Sequence, residues 1–516
     1  MLMRPNRPGN EHRKGFALLY VTLIGTFVLI PMAGLAIDFG MLYNIKARLQ
    51  TAVDAAAIGA GYLLHASTNL GNQTQLNAIT TAAQSYFNAN YPTHYFGSTV
   101  STYTCNVTSS TTGKTITVNA TAAVPMLLMR VLGIKNSQVA ATAVSNVRYI
   151  SMMIAVDRSG SISVEGAAAT IQTALSTFVA TASTSSVVDG VDTVGMVTFG
   201  ATWYLDYTPT THFQTGTPSI QTAINDIYFG NSGTNTAEGL YQAWTELYKM
   251  NLPGSLNVIV LLTDGRPSGF TGSFPTVSGC NSGKGVKGVI QSYVSLGSYP
   301  FWPPPTSPST DVFGLIATQL TGSYPNWNDE STVLATPNGG CQFQTNSIQN
   351  VSSDLSSSNF PSTVGPIDNV GSSYNTSYPY YTTPGTGIPT QTGYYQAPSN
   401  TPGQSATNPE SVRYAAFNVA YNMATYIRQD TVLKPMIFVI GLNYADELTE
   451  PLDADFLAAI ANDPNYTTVG SDTNVVAAGQ SVYNSTQTAG MYCNSTMATL
   501  QSCFAQVTSQ LLRLIQ

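Results

Sequence analysis

The sequence predicts an α/β fold: a doubly wound, mostly parallel sheet, preceded by a separate apolar helix at the amino terminus. Two apolar runs, 152–156 and 258–262, each lead into an aspartate, Asp157 and Asp264. Helical spacing recurs between such runs, and this alternation is typical of a parallel sheet with helices on both faces. The third observation is an uncharged stretch at 16–37, which is long enough to cross a bilayer.

These patterns divide the chain into six segments. They are a basic cytoplasmic segment (1–15), a transmembrane helix (16–37), a helix with a small α+β unit (38–148), the first part of the sheet domain (149–265), a long irregular insertion (266–407) and the second part of the sheet domain (408–516). A chain of 516 residues has room for two or three domains.

Composition narrows the class of protein. Charged residues are 9% of the chain, against roughly 25% in ordinary soluble domains. Serine, threonine, asparagine, glycine and tyrosine take their place, a surface that is commoner outside the cytoplasm. The net charge is −7 and no basic stripe follows the first residues, so nucleic acid is not an expected partner.

The amino-terminal helix is predicted to anchor the chain in a membrane. Its 22 residues would span about 33 Å as a helix, and a hydrocarbon core is roughly 30 Å thick. Basic residues precede the helix and Asp38 follows it, which places the amino terminus in the cytoplasm and the bulk of the chain outside. The alternative is a cleaved secretory signal, with a small-x-small site at Gly34-Leu35-Ala36, but the stretch is long for a signal.

Segment 38–148 is predicted to continue the helix amphipathically and then form a small α+β unit. Apolar residues recur at three- and four-residue spacing, at Leu42, Ile45, Leu49, Val53, Ala56 and Ala60. The predicted elements that follow are a helix near 76–86, strands near 98–107, 114–121 and 138–143, and a short apolar helix around 124–132. No chemistry is evident here, and we interpret the unit as a spacer and packing module.

The amino-terminal residues resemble a known family. The stretches 13–18 (RKGFAL), 34–40 (GLAIDFG) and 48–57 (RLQTAVDAAA) are similar to the start of TadE/TadG-type proteins of bacterial Tad (Flp) pilus assembly. The resemblance implies an inner-membrane protein with other pilus components as partners. Pilin-like relatives carry a glycine and then a glutamate where a prepilin peptidase acts; here Gly15 is present, but Tyr20 stands where the glutamate is expected.

The sheet domain contains a candidate site for a hard cation. Asp157 opens a loop in which Ser159 and Ser161 alternate, so both hydroxyls can turn to the side of the carboxylate. Asp264 closes a second strand, and ligands of such sheets bind beyond the carboxyl ends of the strands. Oxygen ligands suit magnesium, calcium or manganese. The alternative is that these residues form turns and helix caps.

The same residues resemble the von Willebrand factor type A domain, a Rossmann-like fold with a metal-ion-dependent adhesion site. The family's D-x-S-x-S pattern falls on Asp157, Ser159 and Ser161, and its T-D-G aspartate on Asp264. Its loop threonine falls on Thr234. The resemblance implies a divalent cation, foremost Mg²⁺ with Mn²⁺ and Ca²⁺ as alternatives, and a protein partner that presents an acidic side chain to the metal.

Segment 266–407 is rich in Ser, Thr, Gly, Pro and Tyr and shows no sustained helical periodicity, which predicts a surface insertion. It is either a recognition surface or an irregular loop. A G-x-G-x-x-G match at 283–288 does not follow a strand, and we interpret it as chance.

The five cysteines form no C-x-x-C pair, which argues against a zinc knuckle. In an oxidising compartment Cys493–Cys503 and Cys280–Cys341 are plausible bridges, with Cys105 left over. The alternative is that all five are buried free thiols.

Three function classes follow from these observations. The first is a membrane-anchored, metal-dependent adhesion or pilus-assembly protein that is not an enzyme. The second is a structural envelope protein without a functional metal. The third is a hydrolase, for which the four scattered histidines and the lack of H-E-x-x-H or G-x-S-x-G give no support.

Overall fold

A computed structural model describes residues 19–26, 30–64, 69–185, 187–230, 233–274, 286–292, 312–316, 363–364, 378–379, 409–444, 452–469, 479 and 481–515. The chain divides into two compact units, one ending at Val147 and the other running from Arg148 to Ile515. Each unit has a hydrophobic core of its own.

The first unit packs two helices against a three-stranded sheet. Its elements are α1 (Ile30–Gly61), α2 (Gln73–Asn90), β1 (Thr99–Ser109), β2 (Gly113–Pro125) and β3 (Asn136–Arg148), with the strands in the order β1-β2-β3. Strand β2 alternates between buried and half-buried residues over its whole length, and it confirms the strand predicted near 114–121. The predicted amphipathic stripe of α1 is also confirmed, since its positions from Ile45 to Ala60 are buried.

Membrane spanning stays a prediction. No helix among the described residues is both long enough and apolar enough to cross a bilayer. The predicted span 16–37 lies partly outside those residues, since 16–18 and 27–29 are not described.

The link between β2 and β3 differs from the predicted helix around 124–132. Strand β2 continues to Pro125, and only a 3₁₀ turn at Met129–Leu132 is helical. The buried carboxylate of Asp38 accepts the backbone N–H groups of Leu127, Leu128 and Met129 at 3.1, 3.0 and 2.7 Å. These amides therefore bond to a side chain of α1, and the apolar run forms a loop.

The second unit is built on a six-stranded sheet with the order β14-β13-β7-β4-β5-β6. Its strands are β4 (Ile150–Asp157), β5 (Thr193–Phe199), β6 (Trp203–Thr210), β7 (Leu256–Thr263), β13 (Met436–Leu442) and β14 (Met491–Ser495). Neighbouring strands are parallel except β5 and β6, which are antiparallel. Strands β4 and β7 are buried at every position, as their apolar sequences predict.

Helices lie on both faces of this sheet. They are α3 (Gly160–Val164), α4 (Ala168–Ser185), α5 (Ile220–Asn225), α6 (Thr236–Met250), α7 (Pro409–Arg428), α8 (Ala454–Ala461) and α9 (Leu500–Ile515). Successive strand residues enter different cores: Met153 packs with α6, α7 and α8, and Met152 packs with α4, α5 and α9. The predicted α/β class is thus confirmed.

Part of the predicted insertion is regular structure. Strands β8 (Gly269–Phe274), β9 (Val286–Ser292) and β10 (Val312–Ile316) form an antiparallel sheet, and β11 (Thr363–Val364) pairs with β12 (Tyr378–Pro379). The prediction of an irregular segment from residue 266 is therefore wrong for these stretches. Hydroxyl- and glycine-rich strands lack the long apolar runs that reveal β4 and β7 in the sequence.

The predicted Cys493–Cys503 bridge is confirmed, and it joins β14 to α9 with a Cα–Cα distance of 5.7 Å. Cys105 is a free, half-buried thiol of the first unit. The second predicted bridge, Cys280–Cys341, lies outside the described residues.

Candidate functional site

The candidate site lies where the strand order of the six-stranded sheet reverses. From the central strand β4 the chain continues to β5 on one side, and β7 then lies on the other. Asp157 is the last residue of β4, and Asp264 directly follows β7. Because these strands are parallel, their carboxyl ends share one edge of the sheet, and the two aspartates meet there.

Asp157 is fully buried and is held on both of its oxygens. Its Oδ2 accepts the hydroxyl of Thr263 at 2.5 Å, and its Oδ1 accepts the backbone N–H of Ser159 at 2.9 Å. Burial raises the pKa of Asp157, and these two hydrogen bonds act in the opposite direction. Removing the carboxylate from water therefore has a cost that hydrogen bonding only partly offsets.

The two serines converge on the second carboxylate. Ser159 Oγ and Ser161 Oγ lie 2.9 Å apart and donate to Asp264 Oδ1 at 3.3 and 3.0 Å. The loop after β4 brings them there, since Ser159 precedes the short helix α3 and Ser161 lies in its first turn. Two neighbouring serine hydroxyls and a carboxylate more than 100 residues away thus form one cluster.

Thr234 lies beside Gly265, as Ser161 does. A Cβ added to Gly265 would lie 3.5 Å from Thr234 Oγ1 and 3.9 Å from Ser161 Oγ, so both hydroxyls border the same small space. The loop is fixed by Ser268, whose Oγ accepts the Thr234 N–H at 2.7 Å and whose N–H donates to the Thr234 carbonyl at 2.8 Å. Asn235 then caps α6 by accepting the N–H of Glu238.

The second carboxylate oxygen of Asp264 accepts a hydrogen bond from a residue that the sequence does not predict to be part of the site. The Tyr444 hydroxyl, just beyond β13, donates to Asp264 Oδ2 at 2.8 Å. The only sequence signal is its place after an apolar strand, because 180 positions separate it from Asp264. Thr263 was missed too, although it stands next to Asp264 and at the end of a buried strand.

The electrostatics of the site favour a positively charged ligand. Burial raises the pKa of Asp264, and the charge of Asp157 raises it further. Two desolvated carboxylates at one point are stabilised by a cation, and the surrounding donors are hydroxyl oxygens, which suit Mg²⁺, Mn²⁺ or Ca²⁺. In the part of the chain that the structure describes there is no group of three or more His, Cys, Asp or Glu side chains placed to hold a metal. The donor set here has two carboxylates, and its other members are hydroxyls.

Comparisons with known proteins confirm both family resemblances. Residues 151–287 match the von Willebrand factor type A domain, and residues 15–65 match the putative Flp pilus-assembly TadE/G-like family. These matches associate the chain with pilus assembly or adhesion at the cell envelope. No curated protein matches the chain.

Several solved structures are similar at low identity. The PilB minor pilin from Streptococcus sanguinis is 12% identical with a TM-score of 0.33, over 80% of this chain and 78% of that one. The vWF domain of the type V pili tip protein Mfa5 from Porphyromonas gingivalis is 14% identical with a TM-score of 0.35, over 72% of this chain and 97% of that one. The pilus adhesin SpaC from Lactobacillus rhamnosus GG is 12% identical with a TM-score of 0.34, over 80% of this chain and 34% of that one. TM-scores this low identify no function.

Proposed function

We propose that this chain, which contains a von Willebrand factor type A domain and a TadE/G-like segment, is a membrane-anchored protein of a Tad (Flp) pilus system. Its type A domain binds another protein through a divalent cation, foremost Mg²⁺. The cation is held by oxygen atoms of five residues, Asp157, Ser159, Ser161, Thr234 and Asp264.

One observation carries this proposal: the hydroxyls of Ser159 and Ser161 both point at the same oxygen of Asp264. Asp157 also fixes the start of the loop, because its Oδ1 accepts the backbone N–H of Ser159. A divalent cation among these oxygens would neutralise two carboxylates whose burial is otherwise unfavourable.

The donor set also explains why a protein partner is expected. Mg²⁺ takes six ligands in a near-octahedral shell and keeps positions for water or for groups from outside. An acidic side chain of a partner can fill such a position and add the negative charge that the hydroxyls do not supply. The cation then bridges two proteins.

The proposed location is the bacterial inner membrane, with residues 16–37 as a single span and the amino terminus in the cytoplasm. The bulk of the chain is then periplasmic or exposed at the cell surface. The Cys493–Cys503 disulfide supports this location, since disulfides persist in oxidising compartments.

A hydrolase has less support. Of the histidines, His94 and His212 fall within the described residues, and His94 belongs to the first unit. His212 follows Thr210, which pairs with Val194 at the amino-terminal end of β5. It therefore lies at the sheet edge opposite Ser159 and cannot serve that serine as a base.

The test is cation binding by the full-length protein in detergent, measured by isothermal titration calorimetry with Mg²⁺, Mn²⁺ and Ca²⁺. We expect one site, lost in Asp157→Ala and Asp264→Asn and kept in Asp226→Asn, which changes an exposed carboxylate of the same unit. Equal binding by wild type and Asp264→Asn would overturn the metal proposal and favour the structural alternative.

Partner binding is tested separately. Proteins captured from the cell envelope by wild type are compared with those captured after chelation and with those captured by Asp264→Asn. We expect at least one partner that wild type captures and that is lost both after chelation and in Asp264→Asn. If the same proteins are captured in all three cases, a cation bridge is contradicted.

A further inference from the structure

The loop between β2 and β3, residues 126–135, presents large apolar side chains to the surroundings. Leu127 is 59% exposed, Leu128 42%, Val131 86% and Ile134 46%. These residues belong to one short segment, so they form a local apolar surface. Grouped exposure of this kind marks a surface that is covered by a partner or a membrane.

The loop is fixed beside α1 at the end of the predicted membrane span. Asp38 accepts the backbone N–H groups of Leu127, Leu128 and Met129, as described above. Four residues earlier, a Cβ added to Gly34 would lie 2.8 Å from Leu128 Cβ, so the missing side chain of Gly34 makes room for the loop. The 126–135 loop is therefore held at the level where the apolar stretch 16–37 ends.

Helix α1 is itself apolar and exposed at that level. Ile37 is 55% exposed and Phe39 is 61% exposed, and both flank Asp38. The helix and the loop together expose apolar side chains around one point. The buried apolar side chains of α1 begin at Ile45.

The charge of this region is positive. Arg130 and Lys135 are exposed and are the only charged residues of the loop. No Asp or Glu occurs between Asp54 and Asp157, and residues 38–147 contain five Lys and Arg against two Asp and Glu, although the whole chain carries −7. An apolar surface edged by basic side chains suits the boundary of an anionic bilayer.

We propose that the 126–135 loop inserts the side chains of Leu127, Leu128, Val131 and Ile134 into the bilayer boundary, with the loop's two basic residues at anionic headgroups. This inference rests on the membrane span in the proposed function, because that span sets the level of the bilayer. The loop then acts as a second membrane contact, and Asp38 couples it to the span.

The experiment places an environment-sensitive fluorescent amino acid at Val131 of the full-length protein in vesicles that contain anionic lipid. The matched control carries it at Val144, which is 56% exposed and lies on β3, about 27 Å along the strand from Asn136. Quenchers attached to the lipid acyl chains report contact. We expect blue-shifted, strongly quenched emission at 131 and water-like emission at 144.

A double variant tests the role of the two basic residues. The substitutions Arg130→Gln and Lys135→Gln should each lower the ratio of membrane-inserted to non-inserted loop about fivefold in anionic vesicles. In neutral vesicles the double variant and the parent should give equal quenching. An equal effect in both lipids contradicts the headgroup contact.

Flotation of the same vesicles separates this inference from the anchor. Protein that floats but shows equal, water-like emission at 131 and 144 overturns the loop proposal and leaves the span intact. Protein that does not float overturns the span and the loop proposal together. A blue shift at 131 that appears without lipid and grows with protein concentration identifies a protein interface, and it also overturns the bilayer contact.

Discussion

Tyr444→Phe removes one hydroxyl from the candidate site and should weaken Mg²⁺ binding about tenfold. The hydroxyl donates to Asp264 Oδ2 at 2.8 Å and thereby lowers the pKa of a carboxyl group that burial has raised. It favours the ionised form, which is the form that binds a cation. Hydrogen bonds to charged groups contribute roughly 1.5–3 kcal/mol, and we take the lower end because Tyr444 is only half-buried. A change of about 1.4 kcal/mol is tenfold in affinity.

Ca²⁺ should respond differently from Mg²⁺. With Tyr444 in place, one oxygen of Asp264 faces the serines and the other is occupied. Without the hydroxyl the carboxylate can turn and offer both oxygens, which suits the six to eight ligands of Ca²⁺ better than the octahedral shell of Mg²⁺. The ratio of Mg²⁺ to Ca²⁺ affinity should therefore fall in Tyr444→Phe.

The assay is calorimetric titration of the full-length protein with each cation. Tyr483→Phe is the matched control, since Tyr483 is also half-buried and lies in the same unit, ahead of the amino-terminal end of β14. If Asp264→Asn abolishes binding and Tyr444→Phe leaves both affinities unchanged, the role given to Tyr444 is refuted.

Three further changes test other parts of the structure. Gly265→Ala should leave the melting temperature of the cation-free protein unchanged, since its nearest contact is 3.5 Å, but should lower Mg²⁺ affinity on calorimetric titration because the methyl group enters the space between two hydroxyls. Replacing Cys493 and Cys503 with serine should cost about 2–3 kcal/mol, seen as a lower melting temperature that no longer responds to reductant. The pKa of Asp38 is held below its ordinary value of 3.8, first by the Met129 N–H, so its stabilising effect is present above that pH and is lost as the pH falls through the lowered pKa. Asp38→Asn should abolish that pH dependence and speed hydrogen exchange at Leu128 and Met129; exchange as slow as in the wild type would contradict the contact.

The strands and site residues are predicted best from the sequence where every residue of a strand is buried. Strands β4 and β7 are buried at every position, so their apolar runs reveal both the strands and the aspartates at their ends. Ser159 and Ser161 follow from their spacing after Asp157. Thr234 needed the family resemblance, because its approach to Ser161 depends on how two separate loops meet at Gly265.

Contacts across long stretches of chain could not be predicted. Tyr444 reaches Asp264 because β13 lies beside β7 in the sheet, and that order is a tertiary property. Asp38 was interpreted as a flank of the membrane span, whereas its carboxylate is buried under three amides some 90 residues away. The apolar composition of 124–132 predicts a helix there, and no local signal shows that the amides of Leu127, Leu128 and Met129 bond to Asp38 instead.

The start of β8 has a mechanical consequence for the site. The backbone N–H groups of Ser268 and Gly269 both donate to the carbonyl of Thr234, and β8 begins at Gly269. The loop that carries Thr234 is therefore positioned by the segment that follows Asp264 in the chain. A displacement at the start of β8 would move Thr234 as well.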